Sequence, residues 1–248
     1  MPTDKVVFTE EAVRRMSKGL DFGHWTEKQK IALTCQMLAE EGHSRTLAGQ
    51  ISVRLDDGTY LTTPMAVGFD EIEESRVIRI NERLEVLDGV GAANPAIRFH
   101  IWVYKERPAV NAIVHTHPPF VSALSMTGRP LRVSHMDATP FHEDCAFLKE
   151  WPGLPIADRE GEIISAALGK CRSILLAHHG FLCATSSIEE TAYLSMLIER
   201  VAEIQLLAEA TGPIFDLNPE LARESHDFLL RPEIVKSSFA MFARRVIK

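Results

Sequence analysis

The chain has 248 residues, 46% of them hydrophobic and 25% charged, with 34 acidic against 27 basic side chains and a net charge of −7. That length holds one large domain or two small ones with a sizeable buried core, and the composition excludes disordered and repeat architectures. The acidic balance, without a basic stripe, argues against nucleic acid or an anionic membrane surface as a partner.

In chain order, the stretch from Met1 to Glu11 lacks a long apolar core before its charges resume, so it does not read as a secretory leader. Phe8 to Gly19 reads as a short helix. Thr26-Glu-Lys-Gln29 is a capping box opening a helix that stops at Gly42. Ile51 to Leu55 and Thr59 to Thr62, joined by Asp56-Asp-Gly58, form a hairpin. Arg76 to Ile80 and Leu84 to Leu87 are further strands. Ala96 to Glu106 reads as a helix between Pro95 and Pro108.

The apolar strand that follows runs into Val114-His-Thr-His-Pro-Pro-Phe120, and then a helix spans about Pro118 to Thr127. The turn-rich stretch Gly128 to Pro155 is expected as irregular chain with short strands. A helix over Asp158 to Leu168 is followed by strands over Ser173 to Ala177 and Phe181 to Ala184. A second capping box, Ser187-Ile-Glu-Glu190, opens a long helix with Tyr193, Leu197, Val201, Ile204 and Ala208 on its apolar face, ended by Gly212-Pro213. Two more helices finish the chain.

No apolar run approaches the ~20 residues of a membrane span. Cys35, Cys145, Cys171 and Cys183 lie far apart without a C-x-x-C, as expected of reduced thiols in a cytoplasmic protein. Trp25, Trp102 and Trp151 are expected in the core. The mixture of antiparallel hairpins and helices predicts an α/β fold, not a doubly wound parallel sheet, and no composition break marks a linker.

Side chains two apart on a strand share a face, so His115 and His117 project together, with Thr116 behind. Two imidazoles so placed suit one divalent ion, although two polar histidines on a solvated strand end give the same pattern. A third ligand is available from Leu175-Leu-Ala-His178-His179-Gly180, a second apolar strand ending in histidines. Adjacent residues face opposite ways, so one of the two joins the site, and spacing does not say which.

With Ala48-Gly-Gln-Ile-Ser-Val-Arg54, Arg98-Phe-His100, Arg107-Pro-Ala-Val110, His115-Thr-His117-Pro and His178-His179-Gly180 in this order, the chain resembles the class II aldolase/adducin superfamily over roughly residues 25 to 212. The resemblance implies a single-domain α/β/α sandwich over residues 1–248, with a central, mostly antiparallel sheet and C-terminal helices over 213–248. It implies His115, His117 and His179 as metal ligands, with His178 facing away to serve in packing or in support of the ligands. The implied ion is zinc or manganese, with cobalt or iron also suited to histidine ligands. A homotetramer with its site near a subunit interface is also implied.

The pattern departs from the sugar-phosphate aldolases at Asn94-Pro-Ala96-Ile-Arg-Phe-His100, where those enzymes carry two serines and a glutamate. The glutamate that moves the carbon-bound proton is Ala96 here, and the serines that hold the substrate phosphate are Asn94 and Pro95. Adducin-like members lack the histidines, which this chain keeps. The combination points to a metal-dependent lyase for an unphosphorylated substrate. Decarboxylation needs no base to remove a carbon-bound proton, so a hydroxy-substituted aromatic or pyridine carboxylate, cleaved through a metal-stabilised enolate, is the expected substrate. A retro-aldolase for an unphosphorylated hydroxy-oxo acid is the first alternative, and a binding or scaffold module with a vestigial site the second. His100 is the candidate proton donor, or a group supporting the ligands, with His135, His142 and Asp144 as weaker candidates. Arg98 is the candidate partner of the substrate carboxylate, and Gln50 a further substrate contact.

Overall fold

The computed structural model describes residues 4–19, 23–43, 45–154 and 156–247. Residues 1–3 of the stretch read against a leader, and Pro155 at the end of the turn-rich segment, lie outside the described residues.

The helices are α1 (Asp4–Gly19), α2 (Glu27–Glu40), α3 (Ile97–Glu106), α4 (Pro119–Met126), α5 (Asp158–Leu168), α6 (Ile188–Glu209), α7 (Pro219–Leu229) and α8 (Pro232–Val246). The strands are β1 (Gln50–Arg54), β2 (Tyr60–Thr62), β3 (Ile78–Ile80), β4 (Val86–Asp88), β5 (Ala112–Thr116), β6 (Cys145–Leu148), β7 (Ser173–Leu176) and β8 (Gly180–Thr185). They form one eight-stranded sheet in the order β4-β3-β2-β1-β5-β8-β7-β6, antiparallel except where β6 runs parallel to β7. The mixed α/β architecture with a central, mostly antiparallel sheet is the one expected from the sequence.

Alternation along the strands divides the core in two. Ile51, Val53, Ala112, Val114, Phe181 and Cys183 face the layer containing α2, α6 and α8. Tyr60, Ile78, Ile80, Ile113, Leu176 and Leu182 face α3 and α5. The two cores hold the sheet between helical layers, the central strands burying both faces while edge strand β4 is exposed and edge strand β6 half-buried. Trp102 of α3 lies against Gly161 of α5, where an added β-carbon would come within 2.4 Å of the indole, so the missing side chain sets how closely these helices approach.

Local chemistry explains the element ends. Thr26 accepts from Gln29 N–H at 3.2 Å and Gln29 Oε1 accepts from Thr26 N–H at 2.9 Å, the full capping box at α2. Ser187 makes only half of one, accepting from Glu190 N–H at 3.3 Å. The strand expected from Arg76 starts at Ile78, because Glu74–Arg76 winds into a 3-10 turn. The strand expected from Leu84 starts at Val86: Asn81 Oδ1 accepts from Arg83 N–H and Glu85 N–H, and this tight turn holds Leu84 at φ +65°.

The buried face of α6 differs from the expected one: Tyr193 and Val201 are buried together with Ala192, Leu194, Ile198 and Ala202, while Leu197, Ile204 and Ala208 are half-buried, because the helix packs against β5, β8, α2, α4 and α8 together. Trp151 departs from the core expectation. It is 56% exposed, in the connection that follows edge strand β6.

Candidate metal centre

β5 and β7 end, and β8 begins, at the same edge of the sheet, and each strand end carries a histidine there. His115, on β5, pairs with Gln50 of β1 on one side and Leu182 of β8 on the other. Its Nδ1–H donates to the Phe181 carbonyl at 2.7 Å, which leaves Nε2 without a hydrogen in the neutral ring. His117 follows at the end of the strand, stopped by Pro118 and Pro119, with its Nε2 3.0 Å from His115 Nε2.

His179 comes from the reversal between β7 and β8. The connection Ala177-His178-His179 turns with His178 in the left-handed region at φ +58°, and Leu176 pairs with Gly180 across it. This throws His178 out to solvent and His179 in, with ring centroids 4.7 Å from His115 and 4.5 Å from His117. The ligand-type nitrogens of the three residues all lie within 4.8 Å of one another.

Burial and the neighbouring imidazoles push the His115 pKa well below the usual histidine value, burial lowers His117, and burial together with His117 pushes His179 down to about 4. All three rings are therefore neutral at physiological pH, the form that binds a metal. Three neutral imidazoles, one with its tautomer fixed by a main-chain carbonyl, fit a divalent ion such as zinc, manganese, cobalt or iron.

Several groups hold this edge in shape. Behind the strand, buried His43 bonds through Nδ1 to Thr116 Oγ1 at 2.9 Å. Beyond the prolines, Glu199 of α6 accepts from Phe120 N–H and Val121 N–H, each at 2.8 Å, capping α4 with a carboxylate from another helix. Neither residue follows from the motif. Glu199 leaves a trace in the sequence as a charge inside a buried stripe, between Ile198 and Val201.

The remaining candidates are distributed unevenly. Gln50 is buried directly across from His115, and its Oε1 has no partner. His100, on α3, is fully buried and bonds through Nδ1 to Ser52 Oγ at 2.7 Å. Burial pushes its pKa down to about 3, so the ring is neutral. Phe99 bridges the two histidine sites, its ring centroid 4.6 Å from His100 and 5.1 Å from His115.

Arg98 is exposed on the first turn of α3, and Ala96 stands just before that turn, where no side-chain cap is made. His135 is exposed and accepts from Asp137 N–H at 3.2 Å. Asp144 belongs to a separate cluster, accepting from Arg172 N–H at 2.7 Å and lying 3.4 Å from His226 Nε2. A cavity of about 740 Å³ opens at the opposite end of the sheet, around Arg54, Asn111 and Thr185. Its charges are largely spoken for: Lys30 pairs with Glu27 and Glu189, and Arg172 with Glu190.

Comparison with known proteins gives the family and the fold. Residues 29–206 match the family model described as Class II Aldolase and Adducin N-terminal domain. Over 181 residues the chain is 32% identical to the 4-hydroxy-3-prenylphenylpyruvate oxygenase/4-hydroxy-3-prenylbenzoate synthase of Streptomyces roseochromogenus subsp. oscitans; the match takes in 71% of this chain and 65% of that protein. Decarboxylase NovR of Streptomyces niveus is 31% identical over 181 residues, 71% of this chain and 67% of that one. L-fuculose phosphate aldolase of Escherichia coli is 30% identical over 203 residues, 78% of this chain and 91% of that one. The chain thus spans about two thirds of the Streptomyces relatives. Among solved structures, L-fuculose 1-phosphate aldolase from Glaciozyma antarctica superposes with a TM-score of 0.80 at 24% identity, covering 89% of this chain and 88% of that one.

Proposed function

The chain belongs to the class II aldolase and adducin family, and from that premise we propose that it is a metal-dependent carbon–carbon lyase that decarboxylates a hydroxy-substituted aromatic or pyridine carboxylate. The carrying observation is the convergence of His115, His117 and His179 on one point, with His115 Nε2 kept bare by the Phe181 carbonyl. A divalent ion bound there supplies a Lewis acid that stabilises negative charge on a substrate oxygen.

The chain's own residues do the rest. Arg98 offers a guanidinium fork to the carboxylate, and Gln50 meets the substrate from the strand opposite His115. As the carboxylate leaves as CO2, the bonding pair passes to the ring, and the carbon then takes up one proton. Ala96 has no carboxylate to abstract a carbon-bound proton, and this route needs none. His100 is our candidate for handling the proton. Its ring is neutral, so it holds no imidazolium proton in reserve and hands one to carbon only after its lone pair has taken it up from a hydroxyl or a water.

The 30% identity to L-fuculose phosphate aldolase favours a second reading, a retro-aldolase. Ala96, Asn94 and Pro95 weigh against a phosphorylated substrate: Asn94 Oδ1 is already engaged by Ala96 N–H at 3.0 Å, and Pro95 has no donor. Retention of all three histidines weighs against a scaffold. The relative named Decarboxylase NovR supports the decarboxylase, and the relative named for a prenylated 4-hydroxybenzoate supports a hydroxy-aromatic acid. A cytoplasmic homotetramer, as class II aldolases often form, completes the proposal; among the described residues no helix is long and apolar enough to cross a membrane.

The test is to incubate the protein with a panel of hydroxy-substituted aromatic and pyridine carboxylates and measure CO2. Metal-dependent release supports the reading. Pyruvate or an aldehyde from hydroxy-oxo acids, with no CO2 from the panel, overturns it in favour of the aldolase.

A further inference from the structure

Among the buried polar atoms without a partner on the α3 side of the sheet are two that lie towards the histidine triad: His100 Nε2 and Gln50 Oε1. Unpaired buried acceptors are rare enough to call for an occupant. Their anchors are neighbours. His100 is held at Ser52, and Ser52 and Gln50 are two apart on β1, facing the same way, with Gln50 the nearer to His115.

The hydrogens around Ser52 can be ordered. Tyr104 has one hydroxyl hydrogen and lies 2.9 Å from the Ser52 carbonyl oxygen, which only accepts. The tyrosine oxygen must then accept from Ser52 Oγ–H, also at 2.9 Å. With its hydrogen spent, Ser52 Oγ accepts at 2.7 Å from His100 Nδ1–H. The reverse order would leave the Tyr104 oxygen against a carbonyl oxygen with no hydrogen between them. All three contacts are satisfied in one direction only, which puts the hydrogen of the neutral ring on Nδ1.

We propose that Ser52 and Tyr104 fix His100 as its Nδ1–H tautomer, so that its bare Nε2, with Gln50 Oε1 one strand step nearer the histidine triad, accepts a hydrogen bond from an O–H group. Ser52 and Tyr104 are positioning residues that act through His100. The shared chemistry is hydroxylic: a buried water when substrate is absent, the substrate's own hydroxyl when it is present. This pair of acceptors then reads a donor, a requirement that a phosphate dianion or a methyl ether does not meet. This inference rests on the hydroxy-acid lyase reading and narrows it to substrates with a donating hydroxyl.

The test uses the full chain labelled with 15N-histidine, with the His100 signals assigned by their loss in His100→Asn. The expected spectrum shows a protonated Nδ1 and a bare Nε2 at neutral pH. A hydrogen-bonded Nε2 shift without ligand identifies buried water as the occupant, and a further change on adding a hydroxy-aromatic carboxylate identifies the substrate hydroxyl. Ser52→Ala is expected to mix the two tautomers. In calorimetry the hydroxy compound should bind about tenfold tighter than its methoxy analogue. His100→Asn keeps the amide near Ser52 and should lose that preference while its melting curve stays cooperative.

A protonated Nε2, or a hydroxy preference unchanged in His100→Asn, overturns the proposal. If neither compound binds, the aromatic substrate reading fails, and the tautomer spectrum still decides this one.

Discussion

A β-carbon built on Gly180 would sit 2.8 Å from Cδ2 of His117 and 2.4 Å from the Thr116 carbonyl oxygen. The glycine that opens β8 is what lets the two strand ends, and so the rings of His117 and His179, close on one another. Gly180→Ala is therefore expected to push His117 out of line. Metal content of the purified variant, read by elemental analysis, should correspond to about 10–100-fold weaker binding, with roughly 1–3 kcal/mol lost in urea unfolding from overpacking. Full metal occupancy in a normally stable variant would remove the argument.

The two histidines of the β7–β8 turn should separate cleanly by mutation. His179→Ala is expected to abolish tight metal binding, whereas His178→Ala, at an exposed left-handed position, leaves it intact. Chelator competition on the two variants side by side checks this, and equal losses would mean that the turn holds the ion differently.

Which of the two turns inward was not legible in the sequence, because i and i+1 alternation says only that they differ. The deciding event is the left-handed backbone at His178, a property of the closed turn. By contrast, the His115–His117 pair followed directly from strand alternation, the start of α2 at Thr26 from its capping box, and the start of α4 from the prolines that stop the strand. The roles of His43, Glu199 and Ser52 were not legible because they arise from residues 48 to 79 positions away, brought together by the fold and not by any local pattern.

Glu199 joins α6 to the first turn of α4, immediately beyond the ligand strand. Glu199→Ala strands one buried and one half-buried amide and is expected to cost about 1–3 kcal/mol. Because Phe120 and Val121 follow His117 so closely, metal affinity should fall in parallel. Denaturant titrations with and without metal measure both; an effect on stability alone would confine Glu199 to capping.

His226 gives the protein a predictable response to alkali. The carboxylate of Asp144, followed by that of Asp227, raises its pKa above the ordinary histidine value, against opposing burial and the nearby Arg223. A raised folded-state value means the imidazolium favours folding. Its contribution is complete below the unfolded pKa of about 6.5 and disappears as pH rises through the higher folded value. Unfolding free energy should decline over that window in the native protein and decline less in His226→Gln. Parallel profiles would show that the Asp144 contact carries no linkage.

Ala96→Glu restores the carboxylate position of the sugar-phosphate aldolases just before α3. If the chain removes CO2, the added negative charge should oppose an anionic substrate and lower turnover by at least about tenfold, since a like charge placed against a ligand acts as a repulsive element. Steady-state CO2 release checks this, and an undiminished rate would place the substrate carboxylate away from residue 96.

The carbonyl that orients His115 belongs to the main chain of Phe181, one step from its partner in the β5–β8 ladder. No side-chain substitution at Phe181 removes that acceptor, but sliding one strand by a single residue does, and it also turns the imidazole to the opposite side. On the proposed reading, ion uptake thus reports correct strand alignment: a chain that has mispaired its central strands lacks the three-histidine cluster, and metal-loaded protein is self-selected for the native arrangement.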